Sequence, residues 1–145
     1  MRILAALAIM LAWAVFAAAQ AAPEQPSAPP YQPKSAKDKA HSESEYTTLA
    51  YMRTAAVAEK LYYRKHNQYA ATLATLVGTG SFTRRMANPD RGDYTVNLRA
   101  KTDGFALCLV PRQFDAEHRS FFIDETGQFR VDDAKRATES SPPLE

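Results

Sequence analysis

The chain has 145 residues with 18 Lys and Arg against 16 Asp and Glu. That near balance argues against a nucleic acid or an anionic surface as the partner. Its single cysteine, Cys108, excludes an internal disulfide scaffold and a lipid-modified cysteine behind a leader.

The chain opens with Met1-Arg2, an apolar run from Ile3 to Phe16, and small residues leading to Pro23. This pattern predicts a secretory signal peptide over 1–19, with A-x-A sites at Ala17–Ala19 or Ala19–Ala21 and cleavage extending to 22. The alternative is an uncut inner-membrane anchor over 3–19, since the run approaches the ~20 residues that span a bilayer. Both readings export the domain that follows, to the periplasm, the membrane surface or the medium. Residues 20–44 are rich in Pro, Ser, Ala, Lys and Glu and are expected to form a disordered linker. The segment 132–145, "DDAKRATESSPPLE", carries the same expectation.

Between them, 45–131 is long enough for one small domain with a modest core. Over Tyr46–Val131, 12 Lys and Arg face 8 Asp and Glu, a mild bias of +4. Tyr46–His66 lacks Gly and Pro and is rich in Ala, Leu, Met and Glu, which predicts one long helix with Ser44 as its N-cap. Thr72–Val77 adds a short turn ended by Gly78. The period then changes from helical to two. Tyr94, Val96, Leu98 and Ala100 alternate with polar residues as in a half-buried strand. The turn at Thr102–Gly104 leads into Phe105–Val110, apolar on both faces as in a central strand. Arg119–Asp124 and Gln128–Val131 complete the pattern around a turn at Glu125–Gly127. The expected fold class is α+β: one long N-terminal helix packed on a three- to four-stranded antiparallel meander.

Candidate chemistry is sparse. Asn88, Asp90 and Asp93 place oxygen donors around Gly92 and are the only candidate metal ligands, for calcium. A hard cation needs six to eight oxygens, so a metal-free Asn-Pro-Asp turn is the favoured reading. Arg91-Gly92-Asp93 spells an adhesion tripeptide that short sequences contain by chance. His41, His66 and His118 lack the spacing of a zinc site. Asp124 and Glu125, with His118, are the residues a hydrolase would have to use, but a tight turn makes them solvated residues first. Cys108 in "FALCLV" reads as a small buried hydrophobe. No phosphate loop or Ser-His-Asp pattern occurs, and no catalytic residue or cofactor is expected. The cluster "YYRKHNQY" carries aromatic and basic residues, yet Tyr62 and Tyr63 point about 100° apart on a helix and cannot form one stacking platform. Arg64, Lys65 and His66 suit the negative end of a helix dipole.

Three stretches together resemble the globular domains of type IV pilin-like proteins and type II secretion pseudopilins. They are "AEKLYYRKHNQYAATLATL", with Tyr63, Tyr69, Leu73 and Leu76; "NPDRGDY"; and "RSFFIDETGQFR", with Phe121, Asp124, Gly127 and Arg130. The resemblance implies a helix leading into a sheet, export, and a non-enzymatic role through contact with a protein partner near an envelope machine. Prepilin processing needs a glycine ahead of the helix, and the first glycine in this chain is Gly78, so the resemblance is to the domain without its processing motif. A small secreted cation- or ligand-binding module using the 88–93 loop is the alternative function. The partner expected is protein, with a membrane involved only if the leader is uncut, and no nucleic acid.

Overall fold

The computed structural model describes residues 29–145. The expected signal peptide and the linker's 20–28 segment lie outside the described residues. One helix, α1 (Glu43–His66), is followed by single 3-10 turns at Leu73–Leu76 and Arg84–Ala87 and then by five strands. The strands are β1 (Asp90–Arg91), β2 (Tyr94–Lys101), β3 (Gly104–Pro111), β4 (Ser120–Asp124) and β5 (Arg130–Asp132). They form one antiparallel sheet in the order β1-β2-β3-β4-β5. The α+β class therefore holds, with two corrections. The helix stands behind residues 29–42 rather than at the N-terminus, and among the described residues the strands number five rather than three or four. The additional strand, β1, is two exposed polar residues pairing back across Gly92, so it has no hydrophobic alternation by which to be recognised.

Ser42, not Ser44, caps α1: its hydroxyl accepts the Glu45 N–H at 3.1 Å. Both serines satisfy the local rule for an N-cap. The choice is made by distant partners, because Ser42 Oγ also donates to the Glu117 carbonyl at 2.6 Å and Ser44 Oγ donates to Asp93 at 2.7 Å. At the other end Asn67 takes a left-handed conformation (φ 53°) and its N–H closes on the Tyr63 carbonyl, with Arg64, Lys65 and His66 in the last turn as the dipole favours.

The buried stripe of α1, through Leu49, Met52, Ala55 and Ala56, lies over the inward-facing side chains Tyr94 and Val96 of β2, Phe105, Leu107 and Leu109 of β3, and Phe121 and Ile123 of β4. The alanines let the helix approach closely. Each fully buried Leu, Met or Phe contributes about 2 kcal/mol of transfer free energy. Leu73 and Leu76 fold the chain back onto this core from the helix exit.

Two turns depend on glycine. Gly127 links β4 to β5 at φ +81°, and a Cβ on Gly104 would stand 2.1 Å from the Glu125 carboxylate, which accepts the Phe105 N–H at 3.2 Å.

The expected disorder of 132–145 is corrected by its packing. Ala137 and Ser141 are buried, and the tail runs over the outer face of the sheet and along the β5 edge. Ser120 Oγ accepts the Ala137 N–H at 2.9 Å, the Val131 N–H reaches the Pro142 carbonyl at 3.0 Å, and Arg130 donates to the Ser141 carbonyl at 2.9 Å. Cys108 and Phe122 make the outer face of β3 and β4 apolar, and Ala137 covers them while the chain beyond protects an edge strand. The end of the expected linker is likewise tied down: Asp38 binds the Tyr31 hydroxyl and the Lys34 and Ala40 amides, and Ala40 is buried.

Candidate functional site

The β1–β2 end of the sheet gathers the most polar chemistry. Asn88 Oδ1 accepts the Asp90 N–H at 3.0 Å, an Asx turn. Asp90 pairs with the Arg112 guanidinium at 2.7 Å, and Arg112 also donates to the Gly92 carbonyl at 2.6 Å. The hydrogen bond and charge of Arg112 hold the Asp90 carboxyl below the usual carboxylate range. Asp93 accepts from Ser44 and stands 3.6 Å from His118 Nε2, whose other ring nitrogen lies 2.8 Å from Asp115. The Glu117 amide, then His118, lower the Asp115 carboxyl. Every candidate calcium ligand thus has another partner, and while Asn88 and Asp90 line one hollow with Arg85 and Arg91, Asp93 lines another with Arg112 and His118. Among the described residues no group of three His, Cys, Asp or Glu side chains could hold a metal ion.

Beneath this end lies a buried ion pair that sequence reading missed. Glu45, with no exposed surface, receives the Arg119 N–H and Nε at 2.9 and 3.0 Å on one oxygen, and Arg119 Nη2 and the His41 N–H, both at 2.8 Å, on the other. Arg119 further donates to the Lys39 carbonyl at 2.8 Å. The pair locks the start of the helix to the start of β4. The local signal was Ser42-x-x-Glu45, a capping-box spacing, but its partner stands 74 residues away. Tyr94 is buried nearby, its hydroxyl without a partner among the described residues, and desolvation raises its pKa.

The hydrolase candidates are not brought together. His118 precedes β4, while Asp124 and Glu125 stand at its far end. Asp124 accepts the Thr126 amide at 3.0 Å and Glu125 closes over Gly104, so both serve their own turns. Cys108 is 3% exposed, bonded to the Ala137 carbonyl at 3.4 Å, and burial pushes its thiol up.

At the helix exit Tyr63 stacks on Tyr69 with centroids 4.6 Å apart, Tyr69 leans on Phe105 at 5.5 Å, and Tyr62 stacks separately on His66 at 4.2 Å. The aromatic cluster is split, as the 100° spacing requires. Beside it is a second buried carboxyl that was missed. Glu59 has no exposed surface; one oxygen accepts the Ala70 N–H at 2.9 Å and the other has no partner among the described residues. Burial pushes its pKa up to about 7. Its signal in the sequence was position, since Met52, Ala56 and Glu59 recur at i, i+4 and i+7 on one stripe.

Comparison of the chain with protein-family models, with curated proteins and with solved structures finds no match. No helix among the described residues is long and apolar enough to cross a membrane.

Proposed function

We propose that this is an exported, non-enzymatic bacterial protein whose pilin-like domain works by protein contact, near a type IV pilus or type II secretion-like envelope machine or outside the cell. The observation that carries the reading is where the three family-like stretches fall. Tyr63, Tyr69, Leu73 and Leu76 turn the chain from α1 back over the core, the Asn88–Asp93 loop leads into β2, and Phe121 to Arg130 runs through β4 and its turn to the first residue of β5. Each is a joint of a helix-on-meander fold, and none forms a catalytic constellation. Val57, Tyr63 and Val77 are exposed large apolar side chains available for contact.

Cell fractionation with mass measurement of the mature N-terminus tests export. The expected product is periplasmic or extracellular and begins between residues 20 and 23, or is membrane-held and uncut. A cytoplasmic protein with Met1 intact overturns export. Photo-crosslinking from Val57 in living cells tests the contact, with adducts expected to envelope-machine subunits; adducts absent from Val57, Tyr63 and Val77 alike overturn it.

A further inference from the structure

The outer face of the sheet, opposite α1, is only half covered. The tail crosses β3 and β4 at Ala137 and reaches the end of β2 through the Glu139–Lys101 pair, and between it and the outward side chains of β2 runs a trough of about 400 Å³. Its floor is apolar: Ala106 and Cys108 from β3, Phe122 from β4 and Ala137 from the tail. Strand register builds this floor, because Cys108 stands opposite Phe122 and Ala106 opposite Arg99. The rim is cationic. Arg99 comes from β2 and Arg136 from the tail, and neither is paired with a carboxylate among the described residues; Lys101 is matched at 2.9 Å by Glu139. One anion against three cations leaves the rim net positive above a floor without charge.

We propose that this trough binds a small organic carboxylate with an unbranched apolar body, a short- to medium-chain fatty-acid-like molecule. The volume falls in the range of small-ligand pockets, which combine an apolar lining with a few polar groups that fix orientation. The apolar body lies against the half-buried Ala106 and the edges that the buried Cys108, Phe122 and Ala137 present beside the tail, and the carboxylate is held by Arg99 and Arg136, whose guanidinium geometry suits a carboxylate fork. An acidic peptide would match the charge of the rim, but an extended backbone would set polar amides against this floor without partners. The site is independent of the pilin-like reading, since it stands on the face away from the exposed side chains of α1.

The test is titration of the full chain with octanoate, followed by backbone amide shifts, with octylamine and an oligoglutamate peptide as parallel arms. Octanoate is expected to shift residues 106–108 and 136–139 with a Kd on the order of 1 mM or tighter. Arg99→Gln and Arg136→Gln are each expected to weaken it roughly tenfold while leaving the melting temperature unchanged, because both side chains are exposed. Ala106→Leu, which fills the floor, is expected to abolish binding. The proposal is overturned if octanoate leaves these amides unmoved, if octylamine binds as well as octanoate, if both Gln variants or Ala106→Leu bind like the parent, or if only the peptide shifts the trough.

Discussion

Substituting Glu59 by Gln should make this protein more stable at neutral and alkaline pH. In the folded chain the Glu59 carboxyl has no exposed surface, one hydrogen bond and one oxygen without a partner, and its pKa is pushed from 4.5 up to about 7 by burial. A raised carboxyl means that the folded state holds a proton that the unfolded chain has released. Stability from this group is therefore fully present below pH 4.5, falls as pH rises through the window to about 7, and stays low above it. At 1.36 kcal/mol per pKa unit, the difference amounts to about 3 kcal/mol above the window. Glutamine keeps the shape and the acceptor for the Ala70 N–H but cannot ionise. Urea denaturation of both proteins at about pH 5 and about pH 8 measures the effect. The parent should lose stability between the two values, and Glu59→Gln should lose about 2–3 kcal/mol less. Asp38, Asp90 and Asp115 do not confuse the reading. Their pKa values are lowered, so their contributions are lost only on the acid side of the ordinary carboxylate range. Equal pH slopes for parent and variant would refute the reasoning, because they would mean that Glu59 is hydrated or paired in the folded state.

Other substitutions test the remaining joints. Arg119→Ala leaves Glu45 buried without its partner and should cost about 3–5 kcal/mol in thermal or urea unfolding, much of it recovered in an Arg119→Met, Glu45→Gln double variant. Leu76→Ala empties a fully buried site where the helix exit docks and should cost about 3 kcal/mol by the same measurement; a loss under about 1 kcal/mol would mean that the 3-10 turn is not anchored. Truncation after Lys135 removes Ala137 from the Cys108 thiol, and iodoacetamide alkylation should accelerate at least roughly tenfold; an unchanged rate would show that the tail does not cover the sheet. Millimolar calcium or a chelator should leave the melting temperature unchanged, because Asn88, Asp90 and Asp93 serve the loop, Arg112 and Ser44; a clear rise with calcium would restore the 88–93 loop as a cation site.

What could be read from the sequence was local. Tyr94, Val96 and Leu98 announce an inward face by alternation, the long stretch without Gly or Pro announces α1, and Gly127 announces the last hairpin. Each depends on neighbours a few positions apart, which is the range over which backbone propensity and side-chain period act. The splitting of the tyrosines was legible for the same reason. What tertiary structure decided depends on residues far apart in the chain. Ser42 won the cap over Ser44 because Glu117 and Asp93 stood where each serine could reach them, and Glu45 became a buried ion rather than a surface acid because Arg119 met it. Glu59 lies under the helix exit, so an ordinary helix residue became a proton-binding group. The tail's composition resembles disorder, yet an apolar outer sheet face gave Ala137 something to cover. Burial and pairing across the sheet are set by register, and register is a property of the assembled fold rather than of any segment within it.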